Sequence, residues 1–352
     1  MSKESGLSVD AGRSTLMLDE ALSAPAVVAR LLDRERDNFD HLGELLRASP
    51  PKSVLTIARG SSDHASSYMA YLIMAHLGRL VTSLPMSLVT LYQSRIDCNG
   101  LLSVAFSQSG QSPDLVLPTR SFRADGARTL AFVNDDQSPL AQAAEHVVPL
   151  HAGVEKSVAA TKSFIAQLVA GVRLTAAWKD DRQLLQALAE LPDSLERAAG
   201  MDWSPAVSAL VNAERLFVIG RGTCLPIALE AALKFKETCG IQAEAFSSAE
   251  VKHGPMALID ADYPLLIFAP SGPAQASLLA LAEDMRARSR RVLLAAPANV
   301  PGVDLPLVDT ASADLNPIAA IQSFYPMVEA LARARGLNPD QPPHLAKVTR
   351  TH

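Results

Sequence analysis

The sequence predicts an α/β protein built from two doubly wound parallel-sheet units, the product of one internal duplication. Three observations predict it. Short apolar runs alternate with helical patterns. The same succession of patterns restarts near residue 205. Glycine turns recur in the two halves at one fixed spacing. Short, continuously apolar strands separated by helices mark a parallel sheet buried on both faces.

Taken in order, residues 1–50 read as an N-terminal helical segment and 51–180 as the first unit. "SVLTIA" (53–58) is a short β-branched strand, and "SSDHASSYMAYLIMAHLG" after it is a long helix. "LVTSLP", "LLSVAFS", "TLAFVN" and "HVVPL" follow as strands, each set apart by a polar or helical stretch. From 157, "SVAATKSFIAQLVAGVRLTAAW" reads as one long helix. Residues 181–205 form a helical connector that ends in a hinge at "GMDWSP". The second unit, 206–336, opens on "RLFVIGRGTCLPIALEAALKFKE", the strand, glycine turn and helix of the first unit again. Gly60 aligns with Gly222 and Gly110 with Gly272, both at an offset of 162 residues. Two copies mean duplication rather than a solenoid. The stretch 337–352, "LNPDQPPHLAKVTRTH", is polar and broken by proline, hence an extended tail.

Composition narrows the function classes. The 352 residues are 48% hydrophobic and 20% charged, which suits a globular protein with a sizeable core. A net charge of -5 argues against nucleic acid as a partner, because such binding needs a positive field. Cys98, Cys224 and Cys239 are few, odd in number and scattered. They indicate neither a disulfide framework nor a metal site, and a cytoplasmic location is expected. The N-terminus lacks the pattern of a signal peptide, and no apolar stretch has the length of a membrane span.

Ligands of open parallel sheets bind beyond the carboxyl ends of the strands. Two loops of the first unit lie there, "ARGSSDHA" and "SQSGQSPD". Ser61, Ser62, Ser107, Ser109 and Ser112 supply hydroxyls, Gln108 an amide, and the following helices free N–H groups. That set suits a phosphate monoester. Serine, aspartate and glycine also serve ordinary helix caps, and for "SSD" alone capping is the better reading. Three serines and two glutamines within "SQSGQS" exceed what one cap needs. The equivalent loops of the second unit, "GRGTC" and "APSGPA", lack that hydroxyl density. The second unit carries instead Lys234, Lys236, Glu237, Glu244, Glu250, Lys252 and His253. Glu237 ends a helix, where the negative dipole end disfavours a carboxylate, so a role in proton transfer competes with a plain solvated face. His253 precedes a Gly-Pro turn and so lies on a loop. His64 and His76 read as helix-surface or packing residues.

The motifs "SQSGQSPD", "EKSVAATKSF", "ALEAALKFKET", "AEAFSSAEVKHGPMALID" and "LAKVT" together resemble the double sugar-isomerase (SIS) family. That family includes the isomerase part of glutamine–fructose-6-phosphate amidotransferase and the SIS-type glucosamine-6-phosphate deaminases. The resemblance runs in order from about residue 15 to the end. It implies that Ser61, Ser62, Ser107, Gln108, Ser109 and Ser112 hold a sugar phosphate and that the backbone from Val158 through Ala160 to Thr161 lines the sugar, with Lys234 beside it. It implies that Glu237 moves a proton between C1 and C2. His253 would open the sugar ring from the neighbouring subunit of a homodimer with shared sites, and Lys347 in the tail would fold over the open-chain substrate. No metal or organic cofactor is implied. "VAAT" in place of "VAST", and "RGSSD" in place of a cysteine-bearing loop, resemble the deaminase branch. With Ser2 after Met1 and about fifty residues before the first strand, no glutaminase is expected in this sequence. The expected activity is conversion of glucosamine 6-phosphate and water to fructose 6-phosphate and ammonia. The alternatives are another sugar epimer such as galactosamine 6-phosphate, a plain ketose–aldose isomerase, or a non-catalytic sugar-phosphate sensor.

Overall fold

The computed structural model describes residues 14–347, so the first thirteen residues of the expected N-terminal segment and the last five of the tail lie outside it. Among the described residues, ten strands form two five-stranded sheets. The first holds β1 (Val54–Ile57), β2 (Val81–Ser83), β3 (Leu102–Ser107), β4 (Arg128–Val133) and β5 (His146–Pro149), in the order β2-β1-β3-β4-β5. The second holds β6 (Arg215–Gly220), β7 (Gln242–Ser247), β8 (Leu265–Phe268), β9 (Val292–Pro297) and β10 (Leu305–Leu307), in the order β10-β9-β8-β6-β7. Every pairing is parallel. Each sheet starts on the strand next to one edge, adds its second strand at that edge and its third on the other side. The expected pair of doubly wound parallel units is what forms.

The apolar runs explain the sheets. β1, β3, β8 and β9 are buried along their whole length, as strands covered on both faces must be. Between the sheets lie the longest helices: Ser61–Leu77 and Lys162–Lys179 from the first unit, Cys224–Cys239 and Asn316–Ala334 from the second. All but one residue of Lys162–Lys179 is buried, consistent with a helix that is apolar nearly all round. One hydrophobic cluster runs continuously from the N-terminal helices through this layer into the second unit.

That central helix begins at Lys162, not at 157 as its pattern suggested. Residues 157–161 are held as a loop because the buried Glu155 carboxylate accepts hydrogen bonds from the Thr161 and Ser163 N–H groups, each at 3.1 Å. A side chain from outside the helix thus caps its first turn. Cys98, Cys224 and Cys239 are buried free thiols. Burial pushes Cys224 up to about 12 and Cys239 to about 11, which leaves neither as a thiolate nucleophile near neutral pH. No helix among the described residues is long and apolar enough to cross a membrane.

Gly110 shows how tightly the second serine loop is built. Its φ of +64° suits glycine, and a Cβ there would lie 2.1 Å from Ser138 Oγ. Gly110→Ala should therefore strain the backbone and push the loop off its neighbour, at a cost of about 2–3 kcal/mol. Chemical denaturation would register it as a lower midpoint at unchanged slope.

Candidate active site

The two sheets share a topological property that places the site. In the first, the strand order reverses between β1 and β3, and the crevice beyond their carboxyl ends is where such folds bind ligands. The loop after β1 and the loop after β3 meet there around a cavity of about 360 Å³. Ser61, Ser62, Ser107, Gln108, Ser109 and Ser112 line it, with Val158 and Ala160 from the loop before the central helix. Glu237 enters from the second unit, and Leu345, Ala346 and Lys347 from the tail. Residues from five distant parts of the chain therefore converge.

The serines differ in what their hydroxyls do. Ser62 Oγ accepts from Gln167 Nε2 at 3.0 Å, Ser107 Oγ from the Gly110 N–H at 3.0 Å, and Ser109 Oγ from the Gln111 N–H at 3.3 Å. A hydroxyl that accepts in this way keeps its own proton for another acceptor. Ser112 occupies the N-cap of the helix Pro113–Ala124, yet its side chain makes no capping bond. These four hydroxyls suit an anionic acceptor. Ser61 is different, because its Oγ donates to Glu230 Oε1 at 2.9 Å. Gly60, at φ +55° and ψ -134°, supplies the backbone turn that starts the Ser61–Leu77 helix.

Beneath the cavity is a buried charge cluster, of which the sequence singled out Lys234 and Glu237 but not Glu230. Glu230 and Lys234 are essentially fully buried and four residues apart, and Glu237 follows Lys234 by three along the same helix face. Glu230 Oε2 accepts from His64 Nδ1 at 2.9 Å, and Lys234 Nζ lies 3.4 Å from Glu230 Oε1. Lys234 also donates to Ser61 Oγ at 3.3 Å and forms an ion pair with Glu237. His64, unassigned from sequence, is thus a partner of the cluster. Burial alone would raise the Glu230 carboxyl, but the Lys234 charge and the bonds from His64 and Ser61 hold it below the usual range. Burial would lower Lys234, and the carboxylates of Glu230 and Glu237 raise it instead. The ammonium of Lys234 compensates the unfavourable helix end at Glu237. A recurrence of charged residues at helical spacing, Glu230, Lys234 and Glu237, was the legible signal.

Two further carboxylates shape the opposite wall. Glu20, from the N-terminal helix Leu16–Leu22, accepts the N–H groups of Lys156 and Ser157. Glu155 Oε2 accepts from Ser163 Oγ at 2.7 Å and from Lys347 Nζ at 2.8 Å. The tail is pinned at a second point, where Asp340 bonds the N–H groups of Leu16 and Met17 and its carbonyl accepts the Val158 N–H. Thr161 lies wholly buried under the cavity rather than on its surface. His253 stands elsewhere. It is exposed, in the turn after the short 3₁₀ segment Glu250–Lys252, and does not line the cavity of its own chain.

This architecture coincides with a known family. The SIS domain model matches residues 49–177 and 209–296, one match on each sheet, and the chain belongs to that family. Among curated relatives it is similar to the glutamine–fructose-6-phosphate aminotransferase (isomerizing) of Zymomonas mobilis. The identity is 31%, over 99% of this chain and 61% of the relative. The chain thus spans about three fifths of that relative's length. Among solved structures it resembles one from Silicibacter pomeroyi, assigned provisionally to the phosphosugar isomerases. That match has 42% identity and a TM-score of 0.88, and covers 93% of this chain and 100% of the other. It also resembles the C-terminal domain of glucosamine-fructose-6-phosphate aminotransferase from Francisella tularensis. There the identity is 25% and the TM-score 0.83, over 94% and 99% of the two chains.

The Glu155–Lys347 pair makes the tail's docking sensitive to acid. Burial alone would raise the Glu155 carboxyl, but the Lys347 charge and the hydrogen bonds from Lys347, Ser163 and Thr161 hold it below its ordinary value. A lowered carboxyl contributes stability that is full above its unfolded pKa of about 4.3 and is lost as pH falls through the folded value. Glu155→Gln should therefore unfold at lower temperature than wild type at pH 7, and the gap should close in strong acid. Thermal scans of the two proteins across that range would show it.

Proposed function

We propose that the protein is a cofactor-free isomerising deaminase that converts glucosamine 6-phosphate and water to fructose 6-phosphate and ammonia. One observation carries the reading: a carboxylate, Glu237, and an ammonium, Lys347, line the same cavity as a cradle of serine hydroxyls. The serines and Gln108 hold the phosphate. Glu237 takes the C2 proton of the open-chain amino aldose and returns it at C1. The electron pair left at C2 forms the enolamine, and protonation at C1 yields the ketimine, which water hydrolyses to the ketose and ammonia. Lys347 lies at the reacting end and stabilises negative charge on the C1 oxygen as the enolamine forms. The carbonyl already acidifies the C2–H bond, so proton transfer by one carboxylate suffices. Support for an amine substrate comes from the relatives, whose names give amine transfer at fructose 6-phosphate, joined in the Zymomonas mobilis relative to isomerisation, and from Arg59-Gly60-Ser61-Ser62-Asp63 and Ala160, which resemble the deaminase branch.

Ammonia and ketose should appear together when the purified protein meets glucosamine 6-phosphate, and a panel including galactosamine 6-phosphate would fix the epimer. Isomerisation without ammonia would move the protein to the plain isomerases, and binding without turnover to the sensors. Glu237→Gln should lower the rate by about two to four orders of magnitude, and exchange of the C2 hydrogen with deuterated water should fall with it. Retained exchange would leave Glu237 only a helix-end residue.

Ring opening we assign to His253 acting from the neighbouring subunit of a homodimer. The reading is supported by its exposure and its separation from the cavity of its own chain. His253→Ala and Glu237→Gln subunits, each inactive alone, should regain activity when mixed, because one hybrid site then holds both intact groups. Hybrids that stay inactive would place all the chemistry within one chain.

A further inference from the structure

The serine cradle has hydroxyls and N–H groups, yet a phosphate monoester carries about -1.5 to -2 charges at neutral pH. The basic side chains that line the cavity are Arg59 and Lys347. Lys347 is engaged by Glu155 at the tail end. Arg59 sits at the other end, directly before Gly60 and Ser61, and its Nη2 donates to Asp114 Oδ2 at 2.8 Å. The two partners are unequally exposed: the Arg59 side chain is 52% accessible and that of Asp114 only 6%. Asp114 is thus the fixed member, in the first turn of the helix that starts after Ser112. The pair joins the loop after β1 to the loop after β3, across the point where the strand order reverses.

The duplication provides an internal comparison. At the offset of 162, Arg59 aligns with Arg221, and the arginine persists in both halves. Asp114, however, aligns with Ala276, Ser107 with Ala269 and Ser112 with Ala274. Arg221 has no carboxylate in that place and reaches Ser248 Oγ instead, at 3.4 Å. It lines a smaller cavity, of about 220 Å³, half of whose lining is proline, leucine or alanine; Asp314 also lines it but comes from the far end of the second unit rather than from the position of Asp114. The orienting carboxylate therefore occurs in the half that has the serine cradle and is missing from the half that lacks it.

We propose that Arg59 binds the substrate phosphate as its charge-matching group, and that Asp114 is a positioning residue that aims the guanidinium across the cradle. The proposal rests on the phosphosugar reading above and names the residue that makes that site select phosphorylated sugars. An arginine offers five N–H donors in a planar fork, so one bond to Asp114 leaves others for two phosphate oxygens. Arg59 also offsets part of the Asp114 charge, two residues from Ser112.

The test uses the full chain and needs no turnover: calorimetric titration with inorganic phosphate and with glucosamine 6-phosphate, at low and high salt. Arg59→Met should weaken both ligands about tenfold to a hundredfold at low salt, with the loss shrinking at high salt. Arg221→Met should leave both affinities unchanged. The double variant Arg59→Met/Asp114→Asn separates direct binding from simple neutralisation. If Arg59 touches phosphate, the double variant recovers only part of the affinity. Full recovery would mean that Arg59 serves only to neutralise Asp114 and would overturn the proposal, as would unchanged affinity in Arg59→Met. In kinetics the loss should fall on KM far more than on kcat. Weakened phosphate binding in a protein that releases no ammonia from any hexosamine phosphate would sustain the Arg59 assignment and remove the deaminase reading. Ammonia release with phosphate affinity untouched by Arg59→Met would do the reverse. Equal thermal midpoints for wild type and variants would show that folding is intact.

Discussion

The buried carboxylate of Glu230 is the interaction on which the site depends. It belongs to the second unit, but two of its partners, Ser61 and His64, belong to the first. A charge so deeply buried is tolerated only when it is paired and hydrogen bonded, and removing one partner of such a group costs about 3–5 kcal/mol. Lys234, the third partner, lies on the same helix and extends the pairing to Glu237. The cluster therefore does two things at once. It fixes the Cys224–Cys239 helix against the Ser61–Leu77 helix, and it carries Glu237 to the edge of a cavity built from the other half of the molecule.

Buried acids also hold the opposite wall. Glu20 and Glu155 collect backbone N–H groups of residues 156–163, and Glu155 adds the tail through Lys347. These bonds use N–H groups that a longer helix would have satisfied internally. The chain opens the first turn of its central helix at the wall of the cavity, and side-chain carboxylates satisfy what the helix gives up. The N-terminal helix and the tail, distant in sequence, meet on this loop through Asp340.

After duplication the two units kept the same topology and diverged at the strand ends. The first retains a hydroxyl-rich cradle. The second has alanine and proline at the corresponding loops and contributes its helix instead, with Glu230, Lys234 and Glu237. Neither half alone holds all the polar groups that line the cavity. Their packing assembles the set, and one hydrophobic cluster runs continuously between the sheets beside a further cluster within each unit.

By itself the sequence determined the fold class, the duplication and the two loops beyond β1 and β3, because those are local properties. Strand and helix periodicities, glycine turns and clusters of small polar residues depend on neighbours along the chain. Family resemblance pointed to Glu237 and Lys347, and the structure places both in the cavity with the serines. What each hydroxyl does was decided only by tertiary structure. Ser61 and Ser62 are adjacent and alike in sequence, yet one gives its proton to Glu230 and the other accepts from Gln167. The late start of the central helix, the roles of Glu20, Glu155 and Glu230, and the pairing of Arg59 with Asp114 were equally out of reach. Each depends on a partner brought close by packing, and in the low dielectric of the interior that partner decides whether a charge is tolerated and where a proton resides.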